Sequence, residues 1–356
     1  MLNAQERADL RKIQRNAVLR AALAGALSAG IAVLVGVLLE PMLGEDPSDP
    51  PSDKYWLYLG AVTGVSIIAT LNEIAFLYWD ALRSVHALSA KAGLDLFPEQ
   101  EESSAVATAL VRAALELPNP PDDLEGVNPQ REVSKARLLI GTLVYKLKAT
   151  ASNFLIKALV RRVVGRSGFR AWMEITAVPV YAVWNAIICY WVLRQARIRA
   201  MGPSAVVEFT HHIFEDQQNM SREAQLEAFR AVGASIVRTV DLHPNLIALM
   251  RTLESRFGDP GEVIIDNSEL FLKNLTKVPP DEQDAVLRML ALASIIDGKF
   301  QRRERILMRK ALTVCGYEED LTGVRAWRKA FVRGYDIPAK LVIQCLPPKV
   351  AESGHS

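Results

Sequence analysis

Cysteine is scarce in this chain, since its 356 residues include only three. Cys189, Cys315 and Cys345 are far apart, and no two of them form a CxxC pair. A set this small and scattered excludes a disulfide framework and a zinc site built from cysteines. Reduced cysteines are typical of a protein whose bulk lies in the cytoplasm.

The chain also lacks a strong charge of either sign and the sequence motifs of common enzymes. Its formal net charge is +2, which does not indicate a nucleic-acid binder. No P-loop, GxSxG elbow, Ser-His-Asp set or dinucleotide fingerprint is present. We therefore predict a protein that is not an enzyme, with no catalytic residues, no nucleic-acid partner and no cofactor beyond a weakly bound divalent metal.

No stretch alternates apolar and polar residues with the period of a strand, so we predict an all-α fold. Two long apolar segments are present instead, over residues 17–43 and 55–76. The first has no charge between Arg20 and Glu40, and the second has none before Glu73. A membrane-spanning helix needs ~20 apolar residues. Residues 1–82 are therefore predicted to form an N-terminal helix and a transmembrane hairpin that acts as an uncleaved anchor.

The charges around the hairpin predict its orientation. Five basic residues precede residue 21, whereas the linker over residues 44–54 has four acids and one lysine. The positive-inside rule then places the N-terminus in the cytoplasm and the linker outside. We expect a multi-pass protein of the bacterial inner membrane with the bulk of the chain in the cytoplasm. Four aromatic residues at the ends of the second segment fit the two membrane interfaces: Trp56, Tyr58, Tyr78 and Trp79.

Three polar residues lie inside apolar segments, namely Asn72, Glu73 and Asn185. An ionisable group in a membrane is costly and is by default a functional hypothesis. Two interpretations stay open for Glu73. It lies less than two turns from Trp79, where it reaches water or pairs with an arginine near the cytoplasmic interface. Alternatively, the three polar residues line a path in an oligomeric transporter or channel. We favour structural pairing.

The region over residues 83–201 is predicted to be helical and close to the membrane. Residues 135–165 include Lys146, Lys148 and Lys157, so we interpret them as an amphipathic helix on the cytoplasmic face or as a solvated helix of a cytosolic bundle. Residues 171–193 are long enough to span a bilayer, but arginines flank both ends. A re-entrant segment, a shallow hairpin and a third span paired with part of residues 135–165 are the open alternatives.

From Gly202 onward the pattern changes to amphipathic helices separated by glycine and proline. We predict a helical domain over residues 202–337 and a tail over residues 338–356. The domain's helices are expected at residues 204–217, 221–240, 244–257, 263–275, 281–296, 302–314 and 321–332.

Within this domain an Ala-rich apolar helix ends at Asp297 and Gly298, and Glu304 follows seven residues after the aspartate, before another apolar helix. Residues 287–316 thereby resemble the TerB-like family of small helical domains. The resemblance implies two similar halves, with residues 229–251 as the other half, a divalent metal held by acids at the helix junctions, and a role in bacterial envelope-associated stress. In the first half Leu242 and Ala248 replace the expected glycine and glutamate, so we expect weak or no metal binding at Asp297 and Glu304.

A second resemblance covers the middle of the chain. Residues 81–100 (ALRSVHALSAKAGLDLFPEQ) are followed at a distance by residues 178–185 (VPVYAVWN). Together they resemble the EcsC family, bacterial proteins whose biochemical role is unsettled. This resemblance implies no site residues.

One further cluster has metal-ligand chemistry. His211, His212, Glu215 and Asp216 fall on one predicted helix, where the two i,i+4 pairs each offer two ligands. Two ligands are fewer than a bound zinc needs, so we interpret the cluster as a polar helix face.

We predict that the anchor positions a cytosolic helical domain that binds a protein partner or senses an envelope-related signal, as a scaffold or a stress-response component. The alternative is a transporter or channel subunit that uses Glu73 and Asn72. Two or three spans are few for a transporter unless several chains assemble. The expected partners are the lipid bilayer, a protein and, in a homo-oligomer, further copies of the chain.

Overall fold

The computed structural model describes residues 3–39, 53–91, 108, 110–114, 127–129, 131, 170–215, 217, 219–240 and 242–350. Among these residues every regular element is a helix, apart from one isolated antiparallel bridge between Tyr317 and Lys349. The prediction of an all-α fold is confirmed. The helix expected at residues 135–165, most of the linker and Asp216 lie outside the described residues.

The chain forms two compact units. One, the hairpin unit, contains Arg11–Ala87 and Ser134–Arg194, and the other, the domain unit, contains Met1–Leu10, Leu88–Val133 and Gln195–Ser356. Both are assembled from segments that are distant in the sequence.

Helices α1 (Ala4–Leu39) and α2 (Asp53–Lys91) are the long apolar helices that the sequence predicts. Both are long and apolar enough to span a membrane. Only 22% of the most apolar stretch of α1, and 12% of that of α2, is buried inside the protein. The core helix of a soluble protein would be mostly buried, so the exposed apolar surface favours lipid as the surrounding medium.

Helix α3 (Arg170–Phe214) is a single element of 45 residues. The helix that we expected to begin at Ser204 is instead the last part of α3, because the helix continues through Gly202 and Pro203. Proline removes a donor from the helical ladder and its ring crowds the preceding turn. Near this point the Asn245 side chain bonds to α3, since its Nδ2 donates to the Ile198 carbonyl oxygen at 3.1 Å. The same Nδ2 donates to the Ile296 carbonyl oxygen at 2.8 Å.

Gly202 makes this arrangement possible. A Cβ atom at this position would lie 2.0 Å from Oδ1 of Asn245, far inside van der Waals contact. A glycine and a proline usually mark a helix boundary. Here they mark the place where a second chain segment approaches the helix and bonds to it.

The remaining helices belong to the domain unit: α4 (Arg222–Thr239), α5 (Pro244–Phe257), α6 (Ser268–Leu275), α7 (Gln283–Ile295), α8 (Arg302–Val314), α9 (Thr322–Arg333) and α10 (Ala339–Ile343). The bounds predicted for α5 and α8 are confirmed to the residue. Helix α6 begins later than predicted, because Asn267 caps it by accepting hydrogen bonds from the backbone N–H groups of Glu269 and Leu270.

Helix α4 is the centre of the domain unit and packs against α5, α6, α7 and α8. Helix α7 is buried on almost every side, in agreement with its Ala-rich apolar sequence. An aromatic group joins the end of α3 to α9, with the ring centroids of Phe209 and Trp327 5.3 Å apart and Phe331 beside them. All three side chains are fully buried.

Candidate functional site

The polar residues of the apolar segments do not share one environment. In the hairpin unit, Nδ2 of Asn185 on α3 donates to Oε1 of Glu73 on α2 at 2.7 Å. Glu73 is 5% exposed and Asn185 is 2% exposed. Asn72 is exposed, and its Nδ2 donates to the Ile68 carbonyl oxygen of its own helix at 3.0 Å. The structure thus brings Glu73 and Asn185 together and leaves Asn72 outside.

Helix α1 passes close to this pair at Gly25. A Cβ atom on Gly25 would lie 2.6 Å from Nδ2 of Asn185 and 2.7 Å from the carbonyl oxygen of Tyr181. Three helices therefore meet at Gly25, Glu73 and Asn185, which we call the polar junction. Small residues that allow close backbone approach are typical of helix contacts in membranes.

An ion pair connects α1 and α2 close to one end of their apolar segments. Nε of Arg20 lies 2.7 Å from Oδ1 of Asp80, and the same guanidinium donates to Oγ of Ser84 at 3.2 Å. The Asp80 side chain is buried. Sequence reasoning treated Arg20 only as part of the basic N-terminus and missed Asp80. The only signal in the sequence was an acidic residue four positions beyond the second apolar segment.

A cavity of about 450 Å³ lies between α1 and α2. Its walls are mostly aliphatic and aromatic, with Leu23, Leu27 and Ile68 among the lining side chains, while Glu73 and Asn72 contribute polar groups. This composition suits an acyl chain or a packed side chain better than a hydrated ion.

The described helices of the hairpin unit each expose large apolar side chains. On α3 the exposed large side chains recur at helical spacing and lie opposite the buried Asn185. They are Val180, Val183, Trp184, Ile187, Tyr190 and Trp191. Helix α1 has a corresponding stripe formed by Leu19, Leu23, Leu27, Ile31, Leu34 and Leu38.

In the domain unit, the carboxylates predicted from the TerB-like resemblance are both buried and both used by the local backbone. Oδ1 of Asp297 accepts the Lys299 N–H at 2.6 Å, which closes the turn after α7. Glu304 accepts the Gln301 N–H at 2.7 Å and a hydrogen bond from Ser235 Oγ at 3.2 Å. The first of these is half of a capping box at the start of α8.

The two carboxylates interact electrostatically. Burial raises the pKa of Glu304 well above its ordinary value, and the nearby charge of Asp297 raises it further. Two carboxylates with backbone oxygens form an oxygen donor set, but Ca²⁺ takes about 6 to 8 oxygen ligands. The described residues nearby offer too few carboxylates for a strong site of that kind.

The histidine cluster at the end of α3 is more compact than its sequence spacing implied. One ligand atom from each of His211, His212 and Glu215 lies within 4.8 Å of the others. His211 and Glu215 are exposed, and His212 is half-buried. Asp216, the fourth residue considered in the sequence, lies outside the described residues.

No known protein family, curated protein or solved structure matches this chain. The TerB-like and EcsC-like resemblances therefore stay predictions.

Sequence reasoning missed a buried carboxylate on α4. Glu227 pairs with Arg230 one turn later, and Arg230 also donates to the Ile264 carbonyl oxygen at 3.1 Å. Burial raises the pKa of Glu227 to about 7, although Arg230 acts in the opposite direction. Its sequence signal was an i,i+3 pair on an amphipathic helix, which is usually a solvated surface pair.

Contacts inside the domain unit join the N-terminus to the rest of that unit. The Lys91 ammonium lies 3.2 Å from Asp9, and the Arg7 guanidinium stacks 5.4 Å from the centre of the Tyr335 ring. Further along, Asp266 accepts the Asn128 N–H at 3.0 Å. The start of α1 and the end of α2 are thus part of the same compact body as the C-terminal helices.

Proposed function

We propose that this chain is an integral protein of a bacterial inner membrane that anchors a cytosolic helical domain, and that the domain binds a protein partner in response to an envelope-related signal. The observation that carries the proposal is the arrangement of the hairpin unit. Its buried polar side chains pair inside the unit, Asn185 with Glu73 and Asp80 with Arg20, and its described helices expose large apolar side chains. Lipid is the medium that matches such a surface.

The exposed stripe on α3 supports its entry into the lipid beside α1 and α2. In water, six large apolar and aromatic side chains at helical spacing would form an unusually extended exposed patch. The hydrogen bond from Asn185 places this part of α3 at the depth of Glu73. We therefore propose that residues 180–191 lie in the membrane, as part of a re-entrant segment, a shallow hairpin or a third span.

Both ends of the chain belong to the domain unit, which supports a cytoplasmic location for both of them. Residues that belong to one compact body lie on the same side of a bilayer, and this body contains Met1–Leu10, Leu88–Val133 and Gln195–Ser356. The basic residues before residue 21 assign that side to the cytoplasm. The hairpin then crosses the membrane twice, with its acidic linker outside.

Two observations favour an anchored interaction domain over a transport subunit. Glu73 is engaged in packing α2 against α3, and Asn72 is bonded to its own helix rather than to Glu73. In the domain unit, Asp297 and Glu304 stabilise a turn and a helix start. These polar groups stabilise the fold, so we assign partner binding to the surface of the domain.

Cysteine labelling in intact cells tests the topology. A cysteine-free background receives either Ser52→Cys or Ser353→Cys, and an impermeant maleimide is applied from the periplasmic side. We expect labelling at position 52 only, and labelling at position 353 after the inner membrane is opened. The reverse pattern would overturn the arrangement.

Site-specific crosslinking tests the interaction role. A photo-reactive residue at Ile306, exposed on α8, is compared with one at Leu27 in the apolar stripe of α1. We expect discrete protein adducts from position 306 and mainly lipid adducts from position 27. If position 306 gives no protein adduct in native membranes while the purified protein conducts ions in liposomes, the transport alternative replaces this proposal.

A further inference from the structure

The last turn of α3 presents two imidazoles and one carboxylate to a common point. Glu215 follows His211 by four residues and His212 by three, and these are the two spacings that make residues neighbours on a helix surface. The glutamate therefore stands between the two histidines. One ligand atom from each residue lies within 4.8 Å of the others.

The geometry of the rings suits a shared ligand. The ring centroids of His211 and His212 are 5.9 Å apart, and the rings are nearly perpendicular, at 86°. Nδ1 of His212 lies 3.8 Å from Oε2 of Glu215. Zn–N and Zn–O bonds of ~2 Å in a tetrahedron separate ligand atoms by roughly 3.3 Å. Small rotations of the exposed His211 and Glu215 side chains close the remaining difference.

A second observation points to a ligand at this place. Nδ1 of His212 is buried, yet among the described residues it has no hydrogen-bond partner. A buried imidazole nitrogen normally has a partner, and an unsatisfied one costs about 1–3 kcal/mol. The atom is directed toward the Glu215 carboxylate at a separation too long for a hydrogen bond. A cation between the two would satisfy both.

We propose that His211, His212 and Glu215 form a binding site for a borderline divalent transition-metal ion of the Zn²⁺ class. Two nitrogen donors and one carboxylate are a donor set of zinc sites that keep a fourth position open, here for water or an outside ligand. The same set does not suit Ca²⁺ or Mg²⁺, which prefer oxygen donors. The site is separate from Asp297 and Glu304 and does not depend on the membrane topology.

Binding at this place would act on the link between α3 and α4. Glu215 lies in the turn that ends α3. Just before it, the Phe214 carbonyl oxygen accepts a hydrogen bond from Arg256 at 3.1 Å, and the Phe214 ring packs on Phe257 with centroids 5.2 Å apart. Just after it, Gln217 donates to the Asp281 carbonyl oxygen at 2.9 Å. A metal ion would hold this turn against the helices that it contacts.

The test uses the full chain in detergent micelles, first freed of metal with a chelator. Titration with Co²⁺ as a spectroscopic probe for Zn²⁺ is expected to give d–d absorption bands at one equivalent, displaced by Zn²⁺. Hydrogen exchange is expected to slow at residues 214–221 when Zn²⁺ is added. The variants His211→Ala with His212→Ala, and Glu215→Gln, should each weaken Zn²⁺ binding at least tenfold.

Two variants outside the cluster serve as controls for the loss of a carboxylate and of an imidazole. Glu254→Gln removes an exposed carboxylate from α5, and His86→Ala removes an exposed imidazole from α2, so both should leave the affinity within twofold. Circular dichroism checks that every variant is folded. One-equivalent binding that is lost only in the cluster variants supports the site. Binding that persists in them, or no Co²⁺ bands in the folded wild type, overturns it.

Discussion

The hydrogen bond between Asn185 and Glu73 gives the sharpest prediction for the hairpin unit. Asn185→Ala removes the amide that donates to Oε1 of Glu73 at 2.7 Å. Both side chains are almost fully buried, so water cannot replace the lost donor. Loss of a buried hydrogen bond to a carboxyl group costs about 1–3 kcal/mol, and the small cavity left by the truncation adds to that cost. We expect the free energy of unfolding to fall by about 2 kcal/mol.

A double-mutant cycle separates the hydrogen bond from the cavity. Glu73→Ala, Asn185→Ala and the double variant are unfolded reversibly in mixed micelles, with helicity as the signal. Because the second truncation removes a group whose partner is already absent, we expect a coupling energy of at least ~1 kcal/mol. Additivity within about 0.3–0.5 kcal/mol would refute the reasoning. Asn72→Ala is the matched control, since this exposed amide donates to a carbonyl oxygen of its own helix, and its effect should stay within about 0.5 kcal/mol.

Four further outcomes are expected. Glu73→Gln keeps an acceptor for Asn185, so the protein should stay inserted with an unchanged melting temperature. In liposomes the wild type should show no ion flux, whereas a flux abolished by this change would revive the transport alternative. Gly202→Ala forces a Cβ atom to within 2.0 Å of Asn245, so it should destabilise by about 1–3 kcal/mol in thermal unfolding. Calorimetric titration of the full chain with Ca²⁺ and Mg²⁺ should give weak or no binding, and a low-micromolar site lost in Asp297→Asn would contradict this. The pKa of Glu227 is raised from 4.5 to about 7, so the folded state holds a proton that the unfolded state releases, and stability should fall as pH rises through this window. Glu227→Gln should reduce that slope and leave the share of Glu304, whose pKa is also raised, whereas the exposed Glu223→Gln on the same helix should not change it.

The sequence predicted those parts of the fold that depend on local pattern. The apolar segments with no charge gave α1 and α2, and the bounds of α5 and α8 followed from their flanking residues. The continuity of α3 could not be predicted, because Gly202 and Pro203 are local signals for a boundary. The contacts made at this place are tertiary, since Asn245, which is more than forty residues away in the chain, donates to the Ile198 carbonyl oxygen.

For the candidate sites too, the sequence predicted what depends on local pattern and missed what depends on tertiary contacts. Glu73 and Asn185 were each identified as polar residues in apolar segments, but their partnership across 112 positions is a tertiary fact. The sequence analysis expected an arginine or water as the partner of Glu73. Glu227 was missed because a pattern shows which face of a helix a residue occupies and does not show that the face is covered.

The continuity of α3 through Gly202 decides how the protein can be cut into parts. The change of sequence pattern at Gly202 suggests a fragment that begins at residue 202. Such a fragment would start in the middle of α3. It lacks Ile198, whose carbonyl oxygen accepts from Asn245 and whose Cδ1 atom occupies the space beside Gly298. Such a fragment exposes Asn245 and the turn at Asp297 to water, so its metal affinity and stability differ from those of the whole chain. A fragment of the domain for biochemical work should therefore begin no later than Gln195 and should include the segments before residue 134 that belong to the same unit.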